Sequence, residues 1–368
     1  MMNIVAMIFA FGTIVVAHLL PYGFTYATTT FMNFSKPKGT LKTIKSDNGD
    51  VIDCIDIYKQ IAFDNPLIKS LQLNLYLDKQ MKIDNSLPEN KLVQGWHRNG
   101  KCPFQTVPIL RTLKNQFKSF QPFPAIKYAD FKKHEHAAVW NKKGEYYGTS
   151  AKFSVSNPRT EKNDFSLSQL WLASGLNTLK LNSIEAGWTR DSYGKTGCYN
   201  LRCPGFVQTS QTFALGSPLE LPISTHDKKS SDIQISIYKD KKTGHWLLEL
   251  DNELIGYWPS NLFNSLDANA SRVTWGGEVY SSNNLSSHTT TEMGTGHFPR
   301  EGYSRASYVR NLLVMKKPNT WSSPEWSLEK LVTKPQCYNL SIPNFFKRKM
   351  GWGVHFYYGG PGFSKNCP

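Results

Sequence analysis

The feature of this sequence that most constrains its fold is a series of short stretches, after residue 134, in which apolar and polar residues alternate. Clear examples are residues 232–238 and 307–314, and turn-forming pairs such as Asn157-Pro158 separate such stretches. Alternation puts every second side chain on the same face of a β-strand, and many short strands at regular spacing are typical of a sandwich or a barrel. The sequence therefore predicts an all-β fold, an antiparallel β-sandwich, with one short helix at residues 262–270.

The residues that precede the predicted sandwich show a different sequence pattern. Residues 49–113 form a denser stretch that we expect to fold as a small unit. Residues 114–133 contain two prolines and five lysines without a clear period, which predicts an exposed linker that proteases can nick. The expected organisation is thus a leading segment at 28–133 and a sandwich domain at 134–368.

The N-terminal residues predict a secretory signal peptide at 1–27. Residues 4–20 are almost entirely apolar, Pro21 and Gly23 end that run, and Ala27 closes a small-x-small cleavage site. The alternative is an uncleaved signal anchor. We expect a secreted protein, extracellular or in the cell wall, with no membrane contact after cleavage.

If the protein is secreted, its six cysteines and four N-glycosylation sequons can be interpreted. An even number of cysteines in a secreted chain predicts disulfides, with fifteen possible connectivities. Sequons in a secreted chain predict N-glycosylation on the surface. The cysteines are Cys54, Cys102, Cys198, Cys203, Cys337 and Cys367, and the sequons begin at Asn33, Asn269, Asn284 and Asn339.

Charge and motifs narrow the function classes. The chain has 43 Lys and Arg against 28 Asp and Glu, a formal net charge of +15 that permits binding to polyanions. Nucleic-acid-binding motifs are absent, so we expect no nucleic-acid partner. The sequence also lacks the common serine-hydrolase, zincin, P-loop and dinucleotide motifs. The spacing in His134-Glu135-His136 is a poor match to metal sites, so we expect no metal and no cofactor.

Two glutamates have unusual surroundings. Glu185 and Glu278 each lie in an apolar, strand-like run, and Gly276 and Gly277 would let a ligand or another backbone come close to Glu278. Two facing carboxyl groups in a cleft share a proton, so one can act as an acid while the other acts as a base. The alternative is that each is a surface residue or part of a salt bridge.

A set of motifs, in order along almost the whole chain, resembles the plant neprosin family of secreted glutamic peptidases. The first motifs are similar to the family's activation peptide and the later ones to its peptidase domain. The matching stretches are residues 53–60, 102–112, 134–139, 166–171, 184–188, 196–208, 256–263, 275–279, 293–299 and 358–368.

The resemblance implies an acid-active endopeptidase made as a self-inhibited zymogen, with a protein or peptide as its substrate. In the founding member of the family, the endopeptidase cleaves after proline. The family's catalytic residues fall on Glu185 and Glu278, and the pro-segment at 28–133 would act as the intramolecular inhibitor. Trp188 and Trp275 are possible cleft walls for an apolar or proline side chain, or else part of the sandwich core.

The resemblance also implies how the cysteines pair. The expected disulfides are Cys198–Cys203 and Cys337–Cys367 in the peptidase domain and Cys54–Cys102 in the pro-segment.

One departure from the family pattern leaves a second hypothesis open. Only residues 189–195 join the motif around Glu185 to the next one, where relatives carry a longer stretch with an aromatic-rich strand. The short link reflects either a lost strand or a skipped exon. A lost strand beside Glu185 would expose a sheet edge and disturb the site. The alternative function is therefore a non-catalytic β-sandwich that binds cell-wall polysaccharide through its positive charge and aromatic residues.

Overall fold

The chain forms two large antiparallel β-sheets that pack face to face, together with a small third sheet. This confirms the predicted all-β sandwich. The computed structural model describes residues 3–9, 36–68, 92–111, 133–176, 181–190, 200–201, 204–220, 231–282, 287–344, 346 and 349–368.

The first large sheet has six strands and carries both candidate glutamates. Neighbouring strands are antiparallel throughout. In spatial order the strands are β1 (Asn3–Phe9), β8 (Asn182–Arg190), β7 (Phe165–Ser174), β13 (Arg272–Tyr280), β5 (His134–Trp140) and β16 (Glu329–Val332).

The second large sheet has nine strands and covers the other side of the core. Several of its strands coincide with the alternating stretches of the sequence. In spatial order they are β17 (Asn339–Ser341), β18 (Phe356–Gly359), β14 (Ser307–Lys317), β6 (Gly148–Ser154), β10 (Asp232–Lys239), β11 (Trp246–Leu250), β12 (Glu253–Trp258) and β9 (Val207–Gln208), and β15 (Thr320–Ser322) pairs with β14.

The core between these sheets contains both tryptophans that were possible cleft walls. Trp188 and Trp275 are 0% exposed. The indole N–H of Trp188 donates to the carbonyl of Ser154 at 3.0 Å, and that of Trp275 donates to Thr149 Oγ1 at 2.9 Å. Both acceptors belong to β6 on the opposite sheet, so these side chains join the two layers. The prediction that they line a cleft is wrong, because strand alternation turns them to the core face.

The prediction of a helix at residues 262–270 is also wrong. A short 3-10 helix ends at Leu262, and turns follow it. The side-chain oxygen of Asn182 accepts hydrogen bonds from the backbone N–H groups of Asn264 and Ser265, which ties this segment to the end of β8. Tertiary contacts therefore override the local pattern. The 3-10 helices of the described residues are Ile61–Asp64, Gly95–Asn99, Ser260–Leu262 and Pro299–Glu301.

The third sheet lies in the predicted pro-segment. It consists of β2 (Thr40–Lys45), β3 (Val51–Asp56) and β4 (Thr106–Leu110) in that spatial order. The Cys54–Cys102 disulfide links β3 to the segment before β4 and confirms that pairing. The Cys337–Cys367 disulfide of the peptidase domain is confirmed as well. The predicted Cys198–Cys203 pair lies outside the described residues.

The predicted signal segment is described only in part. Residues 3–9 form β1, which runs antiparallel to β8 along the edge of the six-stranded sheet. Cleavage near Ala27 falls outside the described residues and stays a prediction. No helix within the described ranges is both long and apolar enough to cross a membrane.

The four predicted glycosylation sequons and the predicted linker lie partly within and partly outside the described residues. Of the sequons, Asn269 lies in a loop and Asn339 in β17, and both are partly exposed. Asn33 and Asn284 lie outside the described residues, as does the linker at 114–133 except for Lys133. Glycosylation stays a prediction.

Candidate active site

Glu185 and Glu278 lie on the same face of the six-stranded sheet, the face turned away from the core. Glu185 is on β8 and Glu278 is on β13, with β7 between these strands. The next residue after each of them, Ala186 and Val279, is buried in the sandwich core. Because successive side chains of a strand point to opposite faces, both carboxyl groups face outward.

The side chain between the two glutamates is Gln169 on the intervening strand β7. In the strand register Gln169 is paired with Gly187 on one side and with Gly276 on the other. A Cβ atom at Gly187 would lie 2.1 Å from the carbonyl oxygen of Ser168, and one at Gly276 would lie 2.5 Å from that of Ala137. Only glycine fits at these positions, so Gln169 lies between two residues that have no side chain.

The two predicted glycines do not share one role. Gly276 is on the face of Glu278, and its φ of +154° is one that residues with a side chain rarely adopt. Gly277 is on the core face, where an added Cβ would lie 2.7 Å from the Tyr358 ring and 2.9 Å from Met293. The prediction that Gly277 lets a ligand come close is therefore wrong, because the close approach at Gly277 is made by core side chains.

The surroundings of Glu185 favour its neutral form. The side chain is 6% exposed. Its Oε1 accepts from Ser183 Oγ and its Oε2 accepts from Gln169 Nε2, both at 2.8 Å. Burial raises the pKa of Glu185 to about 8, and the charge of Glu278 acts in the same direction, while the two hydrogen bonds oppose the shift. Glu185 is therefore protonated in acid and at neutral pH.

The surroundings of Glu278 favour its ionised form, although it is 7% exposed. The Nδ1 atom of His134 contacts Oε1 of Glu278, and the Nε2 atom of His136 lies 3.8 Å from Oε2. Burial acts to raise the pKa of Glu278, but the charge of His136 and the hydrogen bond and charge of His134 outweigh it. The pKa therefore lies below its usual value, and the two carboxyl groups are driven in opposite directions.

Aromatic side chains different from the predicted tryptophans flank the histidines. The His134 ring packs at 4.9 Å from that of Tyr280 and at 5.9 Å from that of Phe165, measured between centroids. Phe165 and Tyr280 stack on each other at 5.3 Å. On the other side of the site, Trp171 is paired with Glu185 across β7 and β8, and it acts to lower the pKa of that carboxyl group.

Sequence reasoning missed several residues of this site. Gln169, Ser183, His134 and His136 all contact or face a glutamate, yet none was predicted to do so. A signal did exist for the histidines, because two residues spaced by two along a strand share a face. No comparable signal marks Gln169, whose position depends on the register of three strands.

One group of possible metal ligands occurs in the described part of the chain. Ligand atoms of His288, Cys337 and Cys367 lie within 4.8 Å of one another. The two cysteines form a disulfide, so neither can supply the thiolate that a metal would need. This group is therefore a disulfide beside a histidine.

The folded pro-segment docks on the nine-stranded sheet, away from the two glutamates. Gln60 Nε2 donates to the carbonyl of Gln208 at 2.9 Å, and Gln208 Nε2 donates to the carbonyl of Pro108 at 3.0 Å. Ile57 and Val107 add to an apolar cluster with residues of β9, β11 and β12. The described pro-segment therefore binds at a strand edge of the sandwich, and the predicted contact that covers the cleft is not among its described contacts.

The chain is similar to known proteins at two levels. A family model described as Neprosin matches residues 162–361, and one described as Neprosin activation peptide matches residues 43–157. A crystal structure of scytalido-glutamic peptidase with a peptide-based transition state analog has 12% identity and a TM-score of 0.33, covering 62% of this chain and 98% of that chain. SCP-B, a member of the eqolisin family of peptidases in complex with the tripeptide Ala-Ile-His, has 11% identity and a TM-score of 0.32, covering 61% and 98%.

The assignment rests on the family matches, since the Neprosin match alone spans more than half of the chain. The activation-peptide match extends beyond the linker into β5 and β6, which belong to the sandwich. The chain therefore belongs to the neprosin family of glutamic peptidases, with an activation peptide ahead of its peptidase domain.

Proposed function

We propose that this protein is a secreted endopeptidase that uses Glu278 as the general base and protonated Glu185 as the electrophile. The observation that carries the proposal is the opposite pKa shift of two carboxyl groups on one sheet face. A glutamic peptidase needs one group of each kind, because water must lose a proton while the scissile carbonyl is polarised. The disulfides of both domains support a secreted, oxidising location.

The proposed reaction begins with a water held between the two carboxyl groups. Glu278 takes a proton from this water, whose oxygen attacks the scissile carbonyl carbon. Glu185 donates a hydrogen bond to the carbonyl oxygen, which becomes the oxyanion of the tetrahedral intermediate. The proton on Glu278 then passes to the leaving nitrogen, the C–N bond breaks, and Glu278 returns to its ionised form.

Neighbouring groups keep Glu185 in position for this role. The amide N–H of Gln169 donates to one of its oxygens, and the Ser183 hydroxyl bonds the other. Since a hydroxyl can both donate and accept, Ser183 can also accept a hydrogen bond from protonated Glu185.

We further propose that cleavage follows proline. The support is the aromatic surface on both sides of the carboxyl groups, made near Glu278 by half-buried Tyr280, which stacks on buried Phe165, and near Glu185 by half-buried Trp171. A proline ring is rigid and apolar, so it can pack on an aromatic face with little loss of conformational entropy.

The pro-segment is proposed to inhibit the enzyme through the linker that follows it. The folded sheet of the pro-segment is anchored at Gln208, while the linker ends at Lys133, next to His134 in the site. The carbonyl of Lys133 accepts a hydrogen bond from Ser281 N at 3.0 Å, which holds the end of the linker beside β13. A cut within residues 114–133 would free the cleft and activate the zymogen.

The decisive experiment is acid incubation of the secreted protein, read by mass spectrometry. We expect cuts within residues 114–133, followed by cleavage of a proline-containing peptide. Glu185→Gln and Glu278→Gln should each abolish both reactions, including peptide cleavage after the linker has been cut by another protease. Glu249→Gln, on β11 of the other sheet, is the matched control and should retain activity. Full activity of either site variant would reject the proposal.

The polysaccharide-binding hypothesis has one observation in its favour. Tyr303 is 42% exposed, and the ammonium group of Lys349 lies 3.1 Å from its ring centroid and 4.2 Å from that of Trp352. Aromatic faces next to a cation suit an acidic sugar chain. Binding to such a glycan, without proteolysis by the wild type at any pH after linker cleavage, would favour this second function.

A further inference from the structure

We propose that His134 and His136 are positioning residues that keep Glu278 ionised in acid, and that they set the lowest pH at which the enzyme works. This inference rests on the proposed role of Glu278 as the general base. It goes beyond that role, because it assigns the acid limit of the reaction to two groups that do not themselves react with substrate.

The strand register puts both histidines beside Glu278. On β5, His136 is directly paired with Glu278 of the neighbouring strand β13, and His134 is paired with Tyr280. Residues two apart on a strand share a face, so the two rings point to the same side as the carboxyl group. One ring faces each carboxylate oxygen, His134 at Oε1 and His136 at Oε2. Each histidine side chain is 24% exposed, so both can exchange protons with solvent.

The other groups around Glu278 offer no substitute for this pair. Glu185 is an acid and is neutral in the working range, and it does not supply positive charge. Leu167 and Phe165 on β7 are apolar, and Tyr280 is an aromatic neighbour of His134. On β16 and just after it, Thr333 Oγ1 accepts from the His136 backbone N–H.

The other charged groups near the two histidines, Glu135, His288 and Lys334, pair with one another and not with Glu278. Glu135, between the two histidines in the sequence, points to the opposite face and is paired with His288 and with Lys334 at 2.8 and 2.7 Å. Its charge raises the pKa of His136 only as a minor contribution. The positive charge near Glu278 in the described residues therefore comes from His134 and His136.

The direction of the pH effect follows from burial. Glu185, which contacts no cationic group among the residues that the structure describes, shows that burial raises the pKa of a carboxyl group on this face. The histidines reverse that effect at Glu278. Burial lowers the pKa of His136, opposed by the charge of Glu278, so the pair gains positive charge as the solution becomes acidic. The carboxylate is thus supported most strongly at low pH, where it would otherwise be protonated.

The test is the pH dependence of kcat/KM after the linker has been cut by another protease. In His134→Gln and His136→Gln the acid limb should move to higher pH by about one unit each, the lower end of what a close opposite charge does. The alkaline limb, which Glu185 sets, should not move. His297→Gln is the matched control, because it removes a histidine that contacts a glutamate, Glu301, at 2.9 Å elsewhere in the molecule. Replacement of His136 by Lys should restore part of the acid limb.

A second readout does not depend on activity. In Glu278→Gln the ring signals of His134 and His136 should titrate at lower pH in NMR than in the wild type, while those of His297 stay in place. Unchanged ring titrations, or an unchanged acid limb with an inactive Glu278→Gln, would overturn this inference alone. An active Glu278→Gln would instead reject the proposed function, and this inference with it.

Discussion

At the scale of single residues, the site works because two identical side chains have opposite surroundings. Glu185 is held by uncharged groups, Gln169 and Ser183, whereas Glu278 faces two histidines. Burial is the first influence on both pKa values, and only the neighbours differ. The division into acid and base is thus made by the second layer of side chains, and not by the glutamates themselves.

This division predicts a pH-dependent stability for Glu185. The folded pKa of about 8 lies above the usual value, so the folded state holds the proton more tightly than the unfolded state does. Its contribution to stability is fully present below about pH 4.5 and is lost as the pH rises through 8. Glu185→Gln should therefore gain stability relative to the wild type between pH 5 and pH 8, on the order of 3 kcal/mol. Urea unfolding of both proteins at the two pH values measures this difference, and an equal difference at both would contradict it.

At the scale of single residues, the sequence predicted only some of the residues that form the site. The apolar flanks of Glu185 and Glu278 marked both as candidate carboxyl groups but left open that they are surface or salt-bridge residues, and the family resemblance selected them. Trp188 and Trp275 were wrong as cleft walls, because their exposure depends on which strand face is covered. His134 and Glu278 are separated by 144 residues, and only strand pairing brings them together.

At the scale of elements, β8 is the strand that carries Glu185, and it lies second from the edge of the six-stranded sheet. Its outer neighbour is β1, and Met7 of β1 is paired with Glu185. This neighbour comes from the segment predicted to be a signal peptide, and it runs along the edge beside the short link at 189–195. Removal of that segment would make β8 an edge strand with free backbone groups.

We therefore predict that the state of the N-terminus changes the pH range of the enzyme. A chain that begins at Thr28 lacks β1, so Glu185 gains solvent contact and its raised pKa should fall, because burial is the main cause of the shift. The alkaline limb of kcat/KM should then move to lower pH than in a chain that retains residues 1–27. A chain that begins at Asn3 is the matched control. Identical alkaline limbs in all three chains would show that β1 does not determine the burial of Glu185.

The sequence predicted the positions of individual strands better than it predicted which strands pair with each other. Alternation identified strands such as β10 and β14 close to their observed bounds, because it is a local property of the sequence. Which strands become neighbours depends on pairing over long separations, as for β13 between β7 and β5. The helix expected at 262–270 failed because Asn182, on a distant strand, captures backbone groups of that segment.

At the scale of the whole molecule, the pro-segment is attached to the sandwich by contacts that respond little to acid. Gln60 makes two hydrogen bonds across the interface, to the carbonyl and from the N–H of Gln208 at 2.9 and 3.0 Å, and one within the pro-segment, to the carbonyl of Ile57 at 2.8 Å. The Arg98–Glu220 ion pair, at 2.5 Å, is 60% and 32% exposed at its two side chains. Exposed ion pairs contribute little, whereas buried hydrogen bonds that lose a partner are costly.

It follows that cutting the linker and releasing the pro-segment are separate steps. After linker cleavage by an added protease, the wild-type pro-segment should co-elute with the peptidase domain in size exclusion at pH 7 and still largely at pH 4.5. Gln60→Ala leaves buried groups of Gln208 without partners and should release most of the pro-segment at both pH values. Arg98→Ala, the control, removes the ion pair and should behave like the wild type. Release of the wild-type pro-segment by acid alone would contradict this prediction and would mean that titratable groups, such as Glu220 and His97 at the interface, hold it. Activation would then be a single acid-driven event.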